Sequence, residues 1–172
     1  MTILLIIVAI IAAILIVASL QSNDFRFERS TTIHAAPGKI LPLISDFHKW
    51  TQWSPWENIP NDELQRSYSG APEGVGAIYE WTGKKSGSGR MEMLSTSPSL
   101  ARLKLNFIKP FKAENTTDFI AEPAGAATKL TWAMYGPKPY MSKLMTLFVS
   151  MDKMIGKDFE KGLANLKAAA EA

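Results

Sequence analysis

Few side chains in this sequence could do acid–base or metal chemistry, and those that could are poorly spaced for it. There is no cysteine, and the only histidines are His34 and His48. Disulfides, thiolate metal sites, cysteine nucleophiles and a histidine-rich metal site are excluded, and a mixed His/carboxylate site has little to draw on. Asp46 and His48 could form an acid–base pair, but they lie two positions apart and diverge on a helix. Asp46 reads instead as a cap for the next helical turn. The run "GKKSGSG" from Gly83 to Gly89 lacks the strand–glycine–helix context of a phosphate loop; it lies between two strand patterns and reads as a hairpin. "NTT" at Asn115 matches a glycosylation sequon, but inside a strand pattern. No catalytic residue, metal or cofactor is expected. Net charge is +3, from 19 basic and 16 acidic residues without a Lys/Arg run, which argues against a nucleic-acid partner.

The chemistry the chain does offer is apolar. "DFHKWTQWSPWE" (Asp46 to Glu57) places Trp50, Trp53 and Trp56 at three-residue spacing, three of five tryptophans. Such spacing sets the rings within one broad sector of a helix, but Ser54-Pro55 ends or distorts the helix before Trp56. Trp50 and Trp53 are therefore expected to cap one end of the interior, and Trp56 to pack in the following loop. Contact of these rings with a bilayer interface, where tryptophan is enriched, is a further reading. Strand alternation turns Tyr79, Trp81, Met91, Met93, Leu105, Phe107, Phe119, Trp132 and Met134 inward, and the C-terminal helical pattern adds Phe148 and Met151. If Phe119 points inward, so do Asn115 and Thr117, as polar handles, while Glu114 and Asp118 face out. Each of these residues alone reads as core.

These residues need a sheet and a helix to hold them. "FRFERSTTI" (Phe25 to Ile33) alternates as a strand. Pro37 opens a short helix with Ile40, Leu43, Ile44 and Phe47 as its stripe, bent or shortened by Pro42. Strand patterns follow at 63–70, 75–83 (with Val75, Ala77, Tyr79 and Trp81 on one face), around Met91 and Met93, and at 101–107, 113–122 and 128–135. Clean alternation means antiparallel strands with one wet face. From Tyr140 to about Ala170 apolar residues recur at helical steps, with Gly156 and Gly162 as points of bending. The helix stripe and the sheet face need each other, so the helix should cross the concave side. The fold class is α+β.

The first 22 residues stand apart. Ile3 to Leu20 has no charge, glycine or proline, and matches the ~20 residues that span a hydrocarbon core. An uncleaved transmembrane anchor is expected over 1–22, with a secretory signal as its rival, and one domain over 23–172. Arg26 and Arg29 follow the span, which favours the domain on the cytoplasmic side.

"RSTTIHAAPGKILPLISDFHKWTQWSPW", "YSGAPEGVGAIYEW" and "TKLTWAMYGPKPYMSKLM" resemble the opening strand, alanine–proline helix start and later strands of the START-like (SRPBCC) superfamily, polyketide cyclase/dehydratase branch. The resemblance runs from about Phe25 to Leu166. It implies a helix-grip fold, a curved antiparallel sheet wrapped on a long C-terminal helix. It also implies a cavity lined by Trp53, Tyr79, Trp81, Met91, Met93, Leu105, Phe107, Asn115, Thr117, Phe119, Trp132, Met134, Phe148 and Met151. Three functions follow from it: a membrane-anchored binder of a hydrophobic small molecule or lipid, a cyclase-like enzyme using Tyr79, Asn115 or Thr117 as donors, or an interaction module with a closed core. An open apolar interior would favour the first, convergent polar groups in it the second, and a filled interior the third.

Overall fold

The computed structural model describes residues 1–172. Helix α1 (Thr2–Ser19) is apolar on every side, with only Ala18 buried. It is the one helix long and apolar enough to cross a membrane. The chain then forms β1 (Asp24–Ile33), α2 (Pro37–Ser45) and two 3-10 helices (Phe47–Gln52 and Pro55–Asn58). Strands β2 (Gln65–Gly70), β3 (Ala77–Gly83), β4 (Gly87–Ser97), β5 (Leu100–Lys109), β6 (Ala113–Ala124) and β7 (Ala127–Pro137) follow, then helices α3 (Tyr140–Thr146) and α4 (Met151–Glu171).

The seven strands form one antiparallel sheet in the order β1-β7-β6-β5-β4-β3-β2. Consecutive strands β2 to β7 pair with their neighbours, as short turns dictate, and β1 closes on β7. Register aligns the inward residues: Phe27 lies opposite Met134, Phe119 opposite Trp132, and Leu105 opposite Asn115. Val75 departs from expectation, since β3 begins at Ala77 and Val75 is exposed in the preceding turn. Outward Asp118 is nonetheless buried, because Arg102 covers it with two hydrogen bonds at 2.7 and 2.8 Å.

The expected single C-terminal helix is two helices, broken at Leu147–Ser150. The halves have different partners: α3 packs on α1, whereas α4 packs mainly on β1. One straight stripe cannot serve two surfaces. Ser150 starts the second helix by accepting from the Lys153 amide at 3.4 Å, a serine N-cap. Arg29 of β1 ties down α4 through Asp152 (3.1 Å) and Glu160 (2.9 Å).

The helix runs unbroken through Gly156 and Gly162, so these glycines serve close approach rather than bending. A Cβ on Gly162 would stand 2.7 Å from the Trp132 ring and 3.1 Å from Pro55. Alanine normally gains about 1 kcal/mol over glycine in a helix. Overpacking against two rigid rings costs about 1–3 kcal/mol. Gly162→Ala should therefore lower the melting temperature on balance, and a thermal melt followed by circular dichroism checks it.

Candidate ligand-binding site

The concave side of the sheet is filled at one end and less covered at the other. At the filled end, α2 runs through Pro42 and stops at Ser45, which leaves its last carbonyls without helical donors. Two indoles supply them: Trp50 Nε1 donates to the Ile44 carbonyl and Trp53 Nε1 to the Leu43 carbonyl, both at 2.8 Å. Trp53 then meets Phe119 at 5.8 Å and Trp132 at 5.5 Å, both edge-on. Trp132 lies flat on Phe159 of α4 at 4.2 Å and 7°. The tryptophan cluster thus packs against its own core. Trp50 and Trp53 are 4% and 0% exposed, which removes the bilayer-contact reading for them. Trp56 does not stay in a loop: the second 3-10 helix returns its ring edge-on to Trp132 (5.6 Å) and Phe159 (6.2 Å).

Toward the start of β1 the same face is less covered. Phe25, Phe27, Trp81, Leu105 and Ile155 pack against the core but remain half-buried, as does Phe107 outside it. Trp81 lies across Gly89, where a Cβ would fall 2.2 Å from its ring, and meets Phe107 edge-on at 5.9 Å. Met91, Met93 and Met134 are buried beneath. Asn115 and Thr117 are buried on β6, opposite Leu105 and Leu103 of β5, so the sequon asparagine is closed to glycosylation. Tyr79 sits at the boundary between the two ends, beside Phe47 and Trp81. Met151 is half-buried at the first residue of α4. Phe148 falls in the helix break and is 74% exposed, so it does not line the concave face as expected; the break that sequence periodicity missed turns it outward. Two open grooves mix charged and apolar side chains, one lined by Phe25, Arg26, Leu94, Lys104, Asn115 and Tyr135 among others, and one by Leu100, Arg102, Asp118, Ile120 and Glu122.

A buried acidic network escaped sequence reasoning. The Glu57 side chain is almost wholly enclosed, at 4% exposure. Tyr79 donates its hydroxyl to Glu57 Oε1 at 2.5 Å, and Arg66 Nε donates to Oε2 at 2.6 Å. Arg66 Nη2 also reaches the Glu57 carbonyl at 2.9 Å. Burial, then the Glu57 carboxylate, pushes the Tyr79 phenol far above its ordinary range. Its proton is committed to Glu57 and is held away from any guest. No local pattern joins positions 57, 66 and 79; the pairing of β2 with β3 and the 3-10 turn after Pro55 bring them together.

Asp46 caps the first 3-10 helix as expected, accepting from the His48 amide at 3.0 Å. The expected divergence of the pair is corrected: His48 Nδ1 is also 3.0 Å from Asp46 Oδ1. Asp46 keeps an extended backbone outside the helix, so its side chain folds back onto the first turn. His48 is exposed and stacked on Tyr68 at 4.1 Å, outside the concave face.

Residues 24–171 match the family model described as polyketide cyclase / dehydrase and lipid transport. Among curated proteins none matches this sequence significantly. Solved structures agree in fold. A crystal structure of a protein from Chromobacterium violaceum shares 16% identity, with a TM-score of 0.60 over 87% of this chain and 98% of that one. The solution structure of KanY protein gives 14%, 0.65, 88% and 100%. The di-domain ARO/CYC StfQ from the steffimycin biosynthetic pathway gives 13% and 0.63 over 86% of this chain, which spans about half of that longer protein at 51%.

Proposed function

Because the chain belongs to the polyketide cyclase/dehydrase and lipid transport family, we propose that it holds a hydrophobic small molecule or lipid against the open end of its concave face, and that α1 anchors it in a membrane. The observation that carries the reading is the gradient of burial along one sheet face. Phe119, Leu130 and Trp132 are sealed, whereas Phe27, Trp81, Leu105 and Phe107 are only half-buried. Apolar side chains left partly wet beside a rigid aromatic floor suit an apolar guest, since its binding removes both surfaces from water. Asn115 and Thr117 supply the few polar groups that orient such a guest. An anchored domain would meet its ligand where apolar molecules partition. Capture of Tyr79 by Glu57 weighs against the cyclase alternative, which would use that hydroxyl as a donor.

Native mass spectrometry of the full chain, purified gently in detergent, tests the reading, with an organic extract run in parallel. A discrete added mass that leaves on denaturation is expected. Phe107→Gln should lose that mass while keeping the wild-type circular dichroism spectrum. A clean ligand-free mass, together with no uptake of an added fluorescent fatty acid, would overturn it.

A further inference from the structure

The sheet register gathers several segments at the end where α1 enters. Asp24 pairs with Pro137, placing the start of β1 and the end of β7 together. Thr116 pairs with Tyr135, so the β5–β6 turn lies at this end too. Ser88 pairs with Lys109, which brings the β3–β4 turn alongside. The β4–β5 turn, with Ser99, is at the far end.

This end is unusually apolar and basic for a surface facing water. Phe111 is 73% exposed in the β5–β6 turn, beside exposed Ile108, and Phe148 is 74% exposed after α3, beside Met145. Lys109 and Lys112 flank Phe111. Exposed apolar groups of this size, rimmed by charge, mark interaction surfaces.

Helix α3 is fixed to the anchor. Gln21 Nε2 donates to the Lys143 carbonyl (3.0 Å), and Lys143 Nζ donates to the Gln21 carbonyl (2.9 Å) and to Asn23 Oδ1 (2.7 Å). The Tyr140 hydroxyl donates to the Leu15 carbonyl at 3.0 Å. Leu15 lies about 6 Å from the end of α1 at 1.5 Å per residue. If α1 crosses a bilayer, Tyr140 is at interfacial depth, where tyrosine is enriched. Further along, the Thr146 hydroxyl donates to Gln21 Oε1 at 2.9 Å, so exposed Met145 and Phe148 follow beside the end of the anchor.

We propose that this end of the domain lies on the bilayer, with Phe111 and Phe148 seated at the acyl boundary and Lys109 and Lys112 on anionic headgroups, so that the open end of the concave face meets the membrane. The proposal rests on the anchor reading above. The hydrogen bonds from α1 through α3 hold the domain in this pose, and each lysine near an anionic surface adds to the attraction.

The chain has no cysteine, so single-cysteine probes report cleanly in the full-length protein. Phe111→Cys, Phe148→Cys and, at the far end, Ser99→Cys would each carry a polarity-sensitive fluorophore. Each would be reconstituted into phosphatidylcholine vesicles, with and without phosphatidylserine, containing brominated acyl chains. Severalfold quenching at 111 and 148, none at 99, and weaker quenching at 111 after Lys109→Gln/Lys112→Gln are the expected results. A chain that floats with vesicles while both probes stay in water would overturn the docking and leave the anchor intact. A chain that does not float would overturn both. Probes shielded without quenching, in a cross-linkable dimer, would assign the patch to a second copy instead. Quenching indifferent to phosphatidylserine would overturn the role of the lysines.

Discussion

Trp132→Ala should be among the most damaging single substitutions in this domain, at about 3–5 kcal/mol. The ring is 3% exposed, stacked on Phe159, and in edge contact with Trp53 and Trp56. Its truncation opens a hole bounded by rigid rings that cannot collapse into it, and it removes one of the contacts that hold α4 on the sheet. A loss of that size corresponds to a fall of roughly 10 °C in melting temperature for a chain of this length. Chemical denaturation with a two-state fit is the direct measurement. A folded variant of near-wild-type stability that lost ligand instead would show Trp132 to be a cavity wall, and would move the binding site to the end assigned here to packing.

Arg66→Met should cost about 2–4 kcal/mol: leaving a buried carboxylate unpaired costs about 3–5, and screening at the half-open arginine lowers that. Arg66 is 30% exposed in its side chain, against 4% for Glu57. The variant keeps only the Tyr79 hydroxyl on Glu57. The double variant Glu57→Gln/Arg66→Met should recover most of the loss, because an amide oxygen still accepts from Tyr79 and no charge remains buried. Additive single effects in that cycle would show the pair to be uncoupled. Alkaline titration gives an independent reading. The Tyr79 phenol is raised in the folded state above its ordinary value of 10.0. Its contribution to stability is therefore complete below pH about 10 and is lost as pH rises beyond it, where only the unfolded chain releases the proton. Its phenolate absorbance should appear together with loss of ellipticity, and Tyr79→Phe should flatten that slope.

The sheet was legible because period-two alternation is a local signal. "ARLKLNF" could bury Leu103, Leu105 and Phe107 only as a strand, and the inward residues of β7 follow from "TKLTWAMY" in the same way. The helix break was not legible, because Met141, Leu144 and Phe148 continue the periodicity of α4. Nothing in their spacing says that α3 faces α1 while α4 faces β1. Glu57 was hidden for a related reason. A glutamate after a tryptophan looks solvated until strand pairing delivers Arg66 and Tyr79 to it.

By itself, the sequence determined which faces are apolar, that the strands run antiparallel beneath a C-terminal helical region, that no cysteine or histidine cluster can hold a metal, and that residues 3–20 form an uncharged segment, apolar but for Ser19. Only the tertiary structure decided which part of the apolar face is sealed and which stays open. That depends on where α4 crosses the sheet, set by Arg29, Gly162 and the Trp132–Phe159 stack. Periodicity names the buried face of each element, whereas the depth of burial is fixed by which distant element lies across it.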